Sequence, residues 1–236
     1  MHRIDARRKE LGPAEFARQM MCQARDDADA RFKQEYIDRG LKRGEGRRTA
    51  YALETIPSGC SVYTGVDLGV QKHKKSGETV LFTLLVHPDE SREVINIESG
   101  KWSGPEIVQR IYDTHRRYMS IMIVENNAAQ DFLVQFAQQG AAVPIKPFTT
   151  GRNKANPEFG VESIATEMAG GKWVIPHEGD GQMDPEIREW ISEMLYYDPQ
   201  VHTGDRLMAS WFAREGARMG AHKPRVEFGR LSLTAR

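Results

Sequence analysis

The sequence predicts an α/β fold in which a three-stranded meander is followed by alternating helices and strands. Three strand-like apolar runs, at residues 62–68, 79–87 and 93–98, follow one another with only turn residues between them, which favours an antiparallel meander. From Gly104 onward, helical and strand-like periodicities alternate. The chain has 236 residues, 39% of them hydrophobic and 28% charged, which is enough for one large domain with a substantial core.

The composition restricts the functional classes. No apolar run approaches the roughly 18 residues that a membrane span needs, and Met1-His2-Arg3 leads into charged residues rather than an apolar signal sequence. Two cysteines, Cys22 and Cys60, make no disulfide framework, so we expect a reducing cytoplasm. A formal net charge of +0 does not exclude a nucleic-acid partner, because carboxylates that bind metal can offset basic residues elsewhere.

Three segments are predicted along the chain. Residues 1–58 are charged and helical in character and end in a stretch rich in Lys, Arg and Gly, which indicates a helical appendage and linker. Residues 59–220 carry the strand and helix patterns and form the α/β domain. Residues 221–236 form a basic tail, which we expect to be loosely ordered.

The elements after the meander are predicted from capping and periodicity. Gly104-Pro105-Glu106 begins a helix, because proline is favoured in the first helical turn. A strand at 121–125, a helix at about 128–139 and a strand at 143–148 follow, and the prolines of the last strand place it at a sheet edge.

The last third of the chain is predicted to be mostly helical. Helices begin at Asn156-Pro157-Glu158, at Asp184-Pro185-Glu186 and at Asp205, with the short apolar run Trp173-Val174-Ile175 between the first two. The apolar stripes of these helices are interpreted as core. The four tryptophans are interpreted in the same way; they are Trp102, Trp173, Trp190 and Trp211.

Three acidic residues lie at the ends of predicted elements. Asp67 comes near the end of an apolar run, where an ionised carboxylate is costly unless a cation or hydrogen-bond donors compensate it. Glu125 ends the fourth strand, and Asp205 opens the last helix. Each of them could simply cap a turn or a helix. Their common location at element ends favours the alternative interpretation, which is a metal site.

Five short motifs, in this order and at these spacings, resemble the nuclease domain of the large terminase subunit of tailed double-stranded DNA bacteriophages, a member of the ribonuclease H-like superfamily. The resemblance covers about residues 60–220. Its motifs are Gly65-Val66-Asp67-Leu68-Gly69, Val124-Glu125-Asn126-Asn127, Thr149-Thr150-Gly151-Arg152-Asn153-Lys154, Gly170-Gly171-Lys172-Trp173 and His202-Thr203-Gly204-Asp205-Arg206-Leu207-Met208-Ala209.

The resemblance implies a ribonuclease H-like mixed sheet, with a three-stranded antiparallel meander plus parallel strands, flanked by helices. In that fold the first and fourth strands are neighbours, which would bring Asp67 beside Glu125, and the final helix would bring Asp205 over them. The three carboxylates would hold two Mg²⁺ or Mn²⁺ ions for phosphodiester hydrolysis, with no protein nucleophile. His202 is a further possible ligand, although a solvated loop histidine is an equally good interpretation.

The resemblance also implies a substrate and partners. We expect a metal-dependent endonuclease that cuts double-stranded DNA with little sequence specificity during viral genome packaging, in the cytoplasm of the infected bacterium. Phosphate contacts are expected from a basic rim, although its first three residues could also form a solvated turn. The rim consists of Lys72, Lys74, Lys75, Arg152, Lys154 and Lys172.

The sequence contains no Gly-x-x-x-x-Gly-Lys-Ser/Thr phosphate loop, so the packaging ATPase that precedes the nuclease in this family is expected elsewhere. Residues 1–58 would correspond to the end of that motor domain and its linker. The other partners implied are the portal and the small terminase subunit; no membrane partner is expected.

Two other functions are compatible with the same residues. A Holliday-junction resolvase or transposase-like nuclease would share the fold and the carboxylates, but would need a dimer or a junction-specific surface. A non-catalytic ribonuclease H-like module that binds nucleic acid is disfavoured by the presence of all three carboxylates.

Overall fold

The structure is a computed structural model, and it describes residues 30–50, 55–69, 78–125, 143–150, 160–179, 182–199 and 203–221. Within these ranges the helices are α1 (Gln34–Gly44), α2 (Gly104–Tyr118), α3 (Ser163–Ala169), α4 (Pro185–Leu195) and α5 (Asp205–Ala221). The strands are β1 (Ser61–Asp67), β2 (Thr79–Val86), β3 (Arg92–Gly100), β4 (Ile121–Glu125), β5 (Ile145–Phe148) and β6 (Trp173–Val174). None of these helices has the length and apolar character that a membrane crossing requires.

The strands form one mixed sheet in the order β5-β4-β1-β2-β3-β6. β1, β2 and β3 are antiparallel, so the predicted meander is confirmed. β4 runs parallel to β1, and β5 runs parallel to β4 at one edge, where its prolines predict it to lie. The central strands β1 and β2 are buried along almost their whole length, which explains their continuous apolar sequences.

Helices cover both faces of the sheet. On one face, α2 packs Ile107, Val108 and Ile111 against strand residues such as Val66 and Met122. On the other face, the larger part of the core includes residues from α1, α3, α4, α5 and the edge strand β6, among them the fully buried Trp173, Trp190 and Trp211. The expectation that these three tryptophans form core is confirmed. Trp102 is only partly buried and stacks on the guanidinium of Arg110, 4.4 Å from its ring centre.

Helix α5 lies directly on β1 and runs in the opposite direction. A Cβ on Gly65 would be 1.9 Å from the carbonyl oxygen of Ala209, so the backbones touch at this point. Farther along the helix, a Cβ on Gly220 would be 1.8 Å from the hydroxyl of Tyr63, two residues earlier on the strand. The contact therefore moves back along β1 as α5 proceeds, which places the N-terminus of α5 at the C-terminal end of β1.

The region predicted as an appendage contributes to the same core. Phe32 and Ile37 are buried in the core cluster on the α5 face. Arg39 donates a hydrogen bond to the carbonyl of the last residue of α3, and Arg43 donates one to the carbonyl of Gly171, just after that helix. The contacts of Arg39 and Arg43 were not predicted from the sequence, because charged residues on a helix are equally compatible with a solvated surface. The predicted division of the chain at residue 58 and at residue 220 stays a prediction.

Several expectations fall outside the described residues. They are the helix at about 128–139, the cap at Asn156-Pro157-Glu158 and the basic tail, apart from Ala221. Within the described part, α3 begins at Ser163, later than the predicted cap, and β5 begins at Ile145, two residues after the predicted start of its strand.

Candidate metal centre

The pairing of β1 with β4 places Asp67 and Glu125 at equivalent positions. Val66 is opposite Val124 in this parallel pair, and Asp67 and Glu125 are the next residues in the two strands. Neighbouring strands lie about 4.8 Å apart. Because side chains alternate along a strand, Asp67 shares a face with Gly65 and Glu125 shares a face with Ile123, and both of these residues contact α5. The two carboxylates thus belong to the sheet face that α5 covers.

Asp205 lies at the same end of the sheet. It is the first residue of α5, whose N-terminus is at the C-terminal end of β1. Its Oδ2 accepts a hydrogen bond from the backbone N–H of Glu78, at 2.9 Å. Glu78 immediately precedes β2, and the start of β2 pairs with the end of β1, since Val80 lies opposite Asp67. One backbone contact therefore holds Asp205 beside the tip of β1.

Hydrogen bonds also fix the surroundings of the two strand carboxylates. Glu125 is half-buried, and its Oε1 accepts from the hydroxyl of Thr150, at 2.8 Å. The backbone N–H of Gly69, just beyond β1, donates to the hydroxyl of Thr79, at 3.1 Å. Asp67 is half-buried as well. The three acidic residues are accessible enough to meet a ligand from solvent and are carried by elements that are themselves firmly packed.

The structure brings the three carboxylates to one end of the sheet but does not gather them into a closed cluster. Among the residues it describes, no three His, Cys, Asp or Glu side chains are arranged to hold a metal ion. Binding an ion between all three would therefore require their side chains to move closer together.

The neighbour of Asp205 forms a network that sequence reasoning missed. Arg206 is mostly buried, with 12% of its side chain exposed, and its guanidinium contacts Glu186, Glu193 and Glu78. One sequence pattern is compatible with this network: Glu186 and Glu193 are two helical turns apart, so both face the same side of α4. Without the fold, such a pair is indistinguishable from a solvent-exposed acidic stripe.

Glu193 has the strongest electrostatic perturbation near the candidate site. Burial, with a smaller contribution from the charge of Asp205, raises the pKa of its carboxyl to about 7, against the opposing effects of the Leu207 N–H and the Arg206 guanidinium. The carboxylate accepts a hydrogen bond from the Leu207 N–H at 2.8 Å, in the first turn of α5. Negative charge at a helix N-terminus is favourable, so Glu193 and Asp205 both occupy suitable positions.

The remaining predicted site residues do not join the carboxylates in the described structure. His202 and five of the six residues of the basic rim lie outside the described residues. The sixth, Lys172, is exposed and pairs with Glu90 at 3.2 Å, in the turn between β2 and β3. That turn adjoins the N-terminal end of β1, because Val86 pairs with Ser61. Lys172 is thus at the opposite end of the sheet from Asp67 and Glu125. The prediction that it lies on the rim of the carboxylate site is therefore wrong for this structure.

No protein-family model matches the chain, and no curated protein matches it. Solved structures do. The crystal structure of the large terminase nuclease from the thermophilic phage G20c with bound zinc has a TM-score of 0.54 and 14% identity, covering 76% of this chain and 95% of that one. The magnesium-bound structure of the same nuclease has a TM-score of 0.55 and 13% identity, covering 79% of this chain and 96% of that one. The cobalt-bound structure has a TM-score of 0.55 and 15% identity, with the same coverage of both chains as the magnesium-bound structure. At this identity the likeness shows the fold, and the ribonuclease H-like fold class predicted from the sequence is confirmed.

Proposed function

From the ribonuclease H-like fold that this chain shares with the large terminase nuclease of phage G20c, we propose that it is a divalent-metal-dependent endonuclease that cuts double-stranded DNA during viral genome packaging. The observation that carries the proposal is the placement of Asp67 and Glu125 at equivalent positions of neighbouring parallel strands, with Asp205 at the same end of the sheet. The G20c nuclease was crystallised with zinc, magnesium and cobalt, which supports a divalent ion as the cofactor.

The donor set fits a hard divalent cation. Carboxylate oxygens are the ligands that Mg²⁺ and Mn²⁺ prefer, and all three candidate ligands are carboxylates. The hydrogen bonds that the structure gives to Glu125 and Asp205 come from a hydroxyl and a backbone N–H, each of which engages a single carboxylate oxygen. These donors are neutral, so they orient the carboxylates without cancelling their charge.

When bound, a pair of such ions supplies an activated water and stabilises the leaving 3′ oxygen of a phosphodiester. The chain's own part is to hold the ligands in place. Asp67 and Glu125 are carried by two hydrogen-bonded strands, and Asp205 is carried by the helix packed on them. Ligands on such rigid elements keep their relative positions better than ligands on loops. In this proposal no side chain acts as a nucleophile.

DNA would reach the site through contacts to its phosphates. Lys72, Lys74, Lys75, Arg152 and Lys154 are the proposed contacts, and His202 is a proposed additional metal ligand. Such contacts bind the DNA backbone whatever its sequence, and their strength falls with salt. A role in packaging also implies partners, which we propose to be an ATPase motor domain, the portal and the small terminase subunit. The proposed location is the cytoplasm of an infected bacterium.

The proposal is tested by incubating the purified chain with supercoiled plasmid and Mn²⁺, Mg²⁺ or Ca²⁺. We expect cutting with Mn²⁺ or Mg²⁺, and loss of cutting to the background rate in Asp67→Asn, Glu125→Gln and Asp205→Asn, because each change deletes a charged ligand. Asp113→Asn is the matched control, since Asp113 is an exposed carboxylate on α2 that pairs with Arg116. It should cut as the parent does.

Retention of normal Mn²⁺-dependent cutting by two of the three site variants would disprove the assignment of the ligands. Two further substrates distinguish the other functions. Preference for a four-way junction over linear duplex would indicate a resolvase, and DNA binding with no cutting in any metal would indicate a non-catalytic module.

A further inference from the structure

One buried guanidinium connects the start of α5 to three neighbouring elements. The Nε of Arg206 lies 2.8 Å from Glu186 Oε2, and its Nη1 lies 3.3 Å from Glu193 Oε1, both on α4. Its Nη2 lies 2.8 Å from the hydroxyl of Ser99 on β3 and 3.4 Å from Glu78 Oε2, just before β2. Only 12% of the Arg206 side chain is exposed; its partner Glu193 is 16% exposed, whereas Glu186 and Glu78 are 29% and 41% exposed.

Glu78 links this guanidinium to the neighbouring carboxylate. Its side chain faces Arg206, while its backbone N–H donates to Asp205 Oδ2 at 2.9 Å. The following residue, Thr79, accepts a hydrogen bond from the backbone of Gly69, which lies just after β1. The same short segment therefore orients Asp205 and anchors the chain beyond the tip of β1, and Arg206 holds that segment against α5.

Glu193 provides a second link. It accepts from the Leu207 N–H at 2.8 Å and pairs with Arg206, so it fixes the first turn of α5 from the side of α4. Gly204 is in close contact with it, because a Cβ at that position would be 2.3 Å from the Glu193 carboxyl carbon. Asp205 is thus bracketed by two residues, Gly204 and Arg206, that both contact Glu193.

We propose that Arg206 is a positioning residue for the metal-binding carboxylate Asp205. Through Glu78 and Glu193 it sets where Asp205 stands relative to Asp67 and Glu125. This inference rests on the proposed function. Arginine suits the task because its planar fork of N–H donors can reach several oxygens at once, whereas a lysine ammonium is a compact point charge. Residues that orient a metal ligand in this way commonly change metal affinity by about 10- to 100-fold when mutated.

The test compares Arg206→Lys with Arg218→Lys. Arg218 lies on the same helix and pairs with Glu215 at 2.8 Å, toward the opposite end of the sheet, so it is a matched control. Both changes preserve net charge, and a loss of metal affinity would therefore not arise from a changed overall field. The free Mn²⁺ concentration is measured by electron paramagnetic resonance during titration, and plasmid cutting is measured at several Mn²⁺ concentrations.

For Arg206→Lys we expect Mn²⁺ affinity to fall by about tenfold or more. Its kcat should fall at low Mn²⁺ and recover in excess Mn²⁺, with KM for DNA unchanged. Recovery of kcat in excess Mn²⁺ distinguishes a positioning role from a general loss of structure. Activity lost through unfolding would not return gradually as the Mn²⁺ concentration rises. Arg218→Lys should match the parent in every measurement.

Two results would contradict the proposal, and they are distinguishable. If Arg206→Lys melts cooperatively and binds Mn²⁺ as tightly as the parent, the positioning role is wrong while the nuclease assignment stands. If the parent binds no Mn²⁺ and cuts no plasmid, both are wrong.

A second variant covers the case in which Arg206→Lys does not fold. Ser99→Ala removes a neutral partner of the guanidinium, together with the hydrogen bond that the Ser99 hydroxyl donates to Glu186 at 3.0 Å, and we expect Mn²⁺ affinity to fall about tenfold. Unchanged Mn²⁺ affinity in a folded Ser99→Ala would then contradict the proposal.

Discussion

The two ends of the central sheet use charged residues in different ways. At the N-terminal end of β1, carboxylates and guanidiniums are buried together and pair with each other. At the C-terminal end lie Asp67, Glu125 and Asp205, and the hydrogen bonds given to the latter two come from the neutral groups of Thr150 and Glu78.

The paired end is built around Glu167 and Glu215. Glu167 Oε1 lies 3.0 Å from a guanidinium nitrogen of Arg92 and 2.9 Å from one of Arg214. Glu215 pairs with Arg214 and, at 2.8 Å, with Arg218. The side chain of Glu215 is 2% exposed and that of Arg214 is 8% exposed, so these charges compensate each other inside the protein. A buried charge without such compensation would be costly.

At the end that carries Asp67, Glu125 and Asp205, the nearby guanidinium of Arg206 pairs with other carboxylates. Arg206 faces Glu186, Glu193 and Glu78 rather than Asp205, its neighbour in sequence. In the proposed function, the same charged residue types therefore stabilise the fold at one end and hold a metal ion at the other. Mutation of a carboxylate should accordingly lower stability at the paired end and lower activity at the other.

The largest stability effect is expected from Glu215→Gln. This change leaves Arg214 with a diminished partner in a buried place, and breaking a buried pair in this way costs about 3 kcal/mol. Urea unfolding without metal measures the loss, and plasmid cutting per folded molecule should be unchanged. In the same assay Asp205→Asn should lose no such stability, because the amide oxygen of Asn can still accept the Glu78 N–H and the repulsion between Asp205 and Glu193 is relieved.

Glu90→Gln is the control for this measurement. Glu90 pairs with Lys172 at the same end of the sheet, but the two side chains are 65% and 46% exposed. Exposed pairs contribute at most about 1 kcal/mol, so the unfolding midpoint should hardly move. An unfolding midpoint of Glu215→Gln equal to that of the parent would mean that the paired end does not stabilise the fold.

A second effect concerns pH at the carboxylate end. The pKa of Glu193 is raised to about 7 by burial, while the ordinary value is 4.5. Between these values the folded chain binds a proton that the unfolded chain does not, so stability falls as pH rises through this window. The contribution is complete below about pH 4.5 and lost above about pH 7.

The parent should therefore lose on the order of 2 kcal/mol relative to Glu193→Gln between pH 5 and pH 8, since one pKa unit is worth roughly 1.4 kcal/mol and residual exposure reduces the total. Metal-free urea unfolding across this range measures the difference. Glu189→Gln, on the same helix, is the control and should follow the parent. Parallel pH profiles for the parent and Glu193→Gln would show that Glu193 does not titrate in this window.

Much of the fold could be predicted from the sequence, for a physical reason. Strands buried on both faces are usually continuously apolar, so β1 and β2 were located to within one residue of their bounds. Asp67 and Glu125 stood out because a carboxylate is unusual at the end of such a run. The adjacency of β1 and β4 came from the resemblance, since periodicity does not specify which strands pair.

The charged networks could not be predicted in the same way. Arg206 and Glu215 lie on a helix that carries several other charged residues, and Glu167 lies on a short helix. All three are compatible with a solvated face until the partners are known. The docking of α1 through Arg39 and Arg43 was missed for the same reason. Charges that pair across long sequence separations leave no local pattern, because each partner is specified by the fold.

The smallest effect is expected at Tyr118, in the apolar cluster at the paired end. Its side chain is buried, and its hydroxyl has no hydrogen-bond partner among the residues that the structure describes. Burial raises the pKa of this hydroxyl from 10.0 to about 12, and Arg117 opposes the rise. Tyr118→Phe removes an uncompensated polar group, so the free energy of unfolding should rise by up to about 1 kcal/mol at neutral pH.

The alkaline pH dependence makes the prediction specific. Because the folded pKa of Tyr118 exceeds the unfolded value, its contribution to stability is complete below pH 10.0 and is lost toward pH 12. Tyr118→Phe should lack that loss. Tyr112→Phe is the control, because Tyr112 is a partly buried tyrosine of the same helix that takes part in an interaction. If Tyr118→Phe is instead destabilised by more than Tyr112→Phe, the Tyr118 hydroxyl has a hydrogen-bond partner. Polar groups at the paired end would then be hydrogen-bonded even inside its apolar cluster.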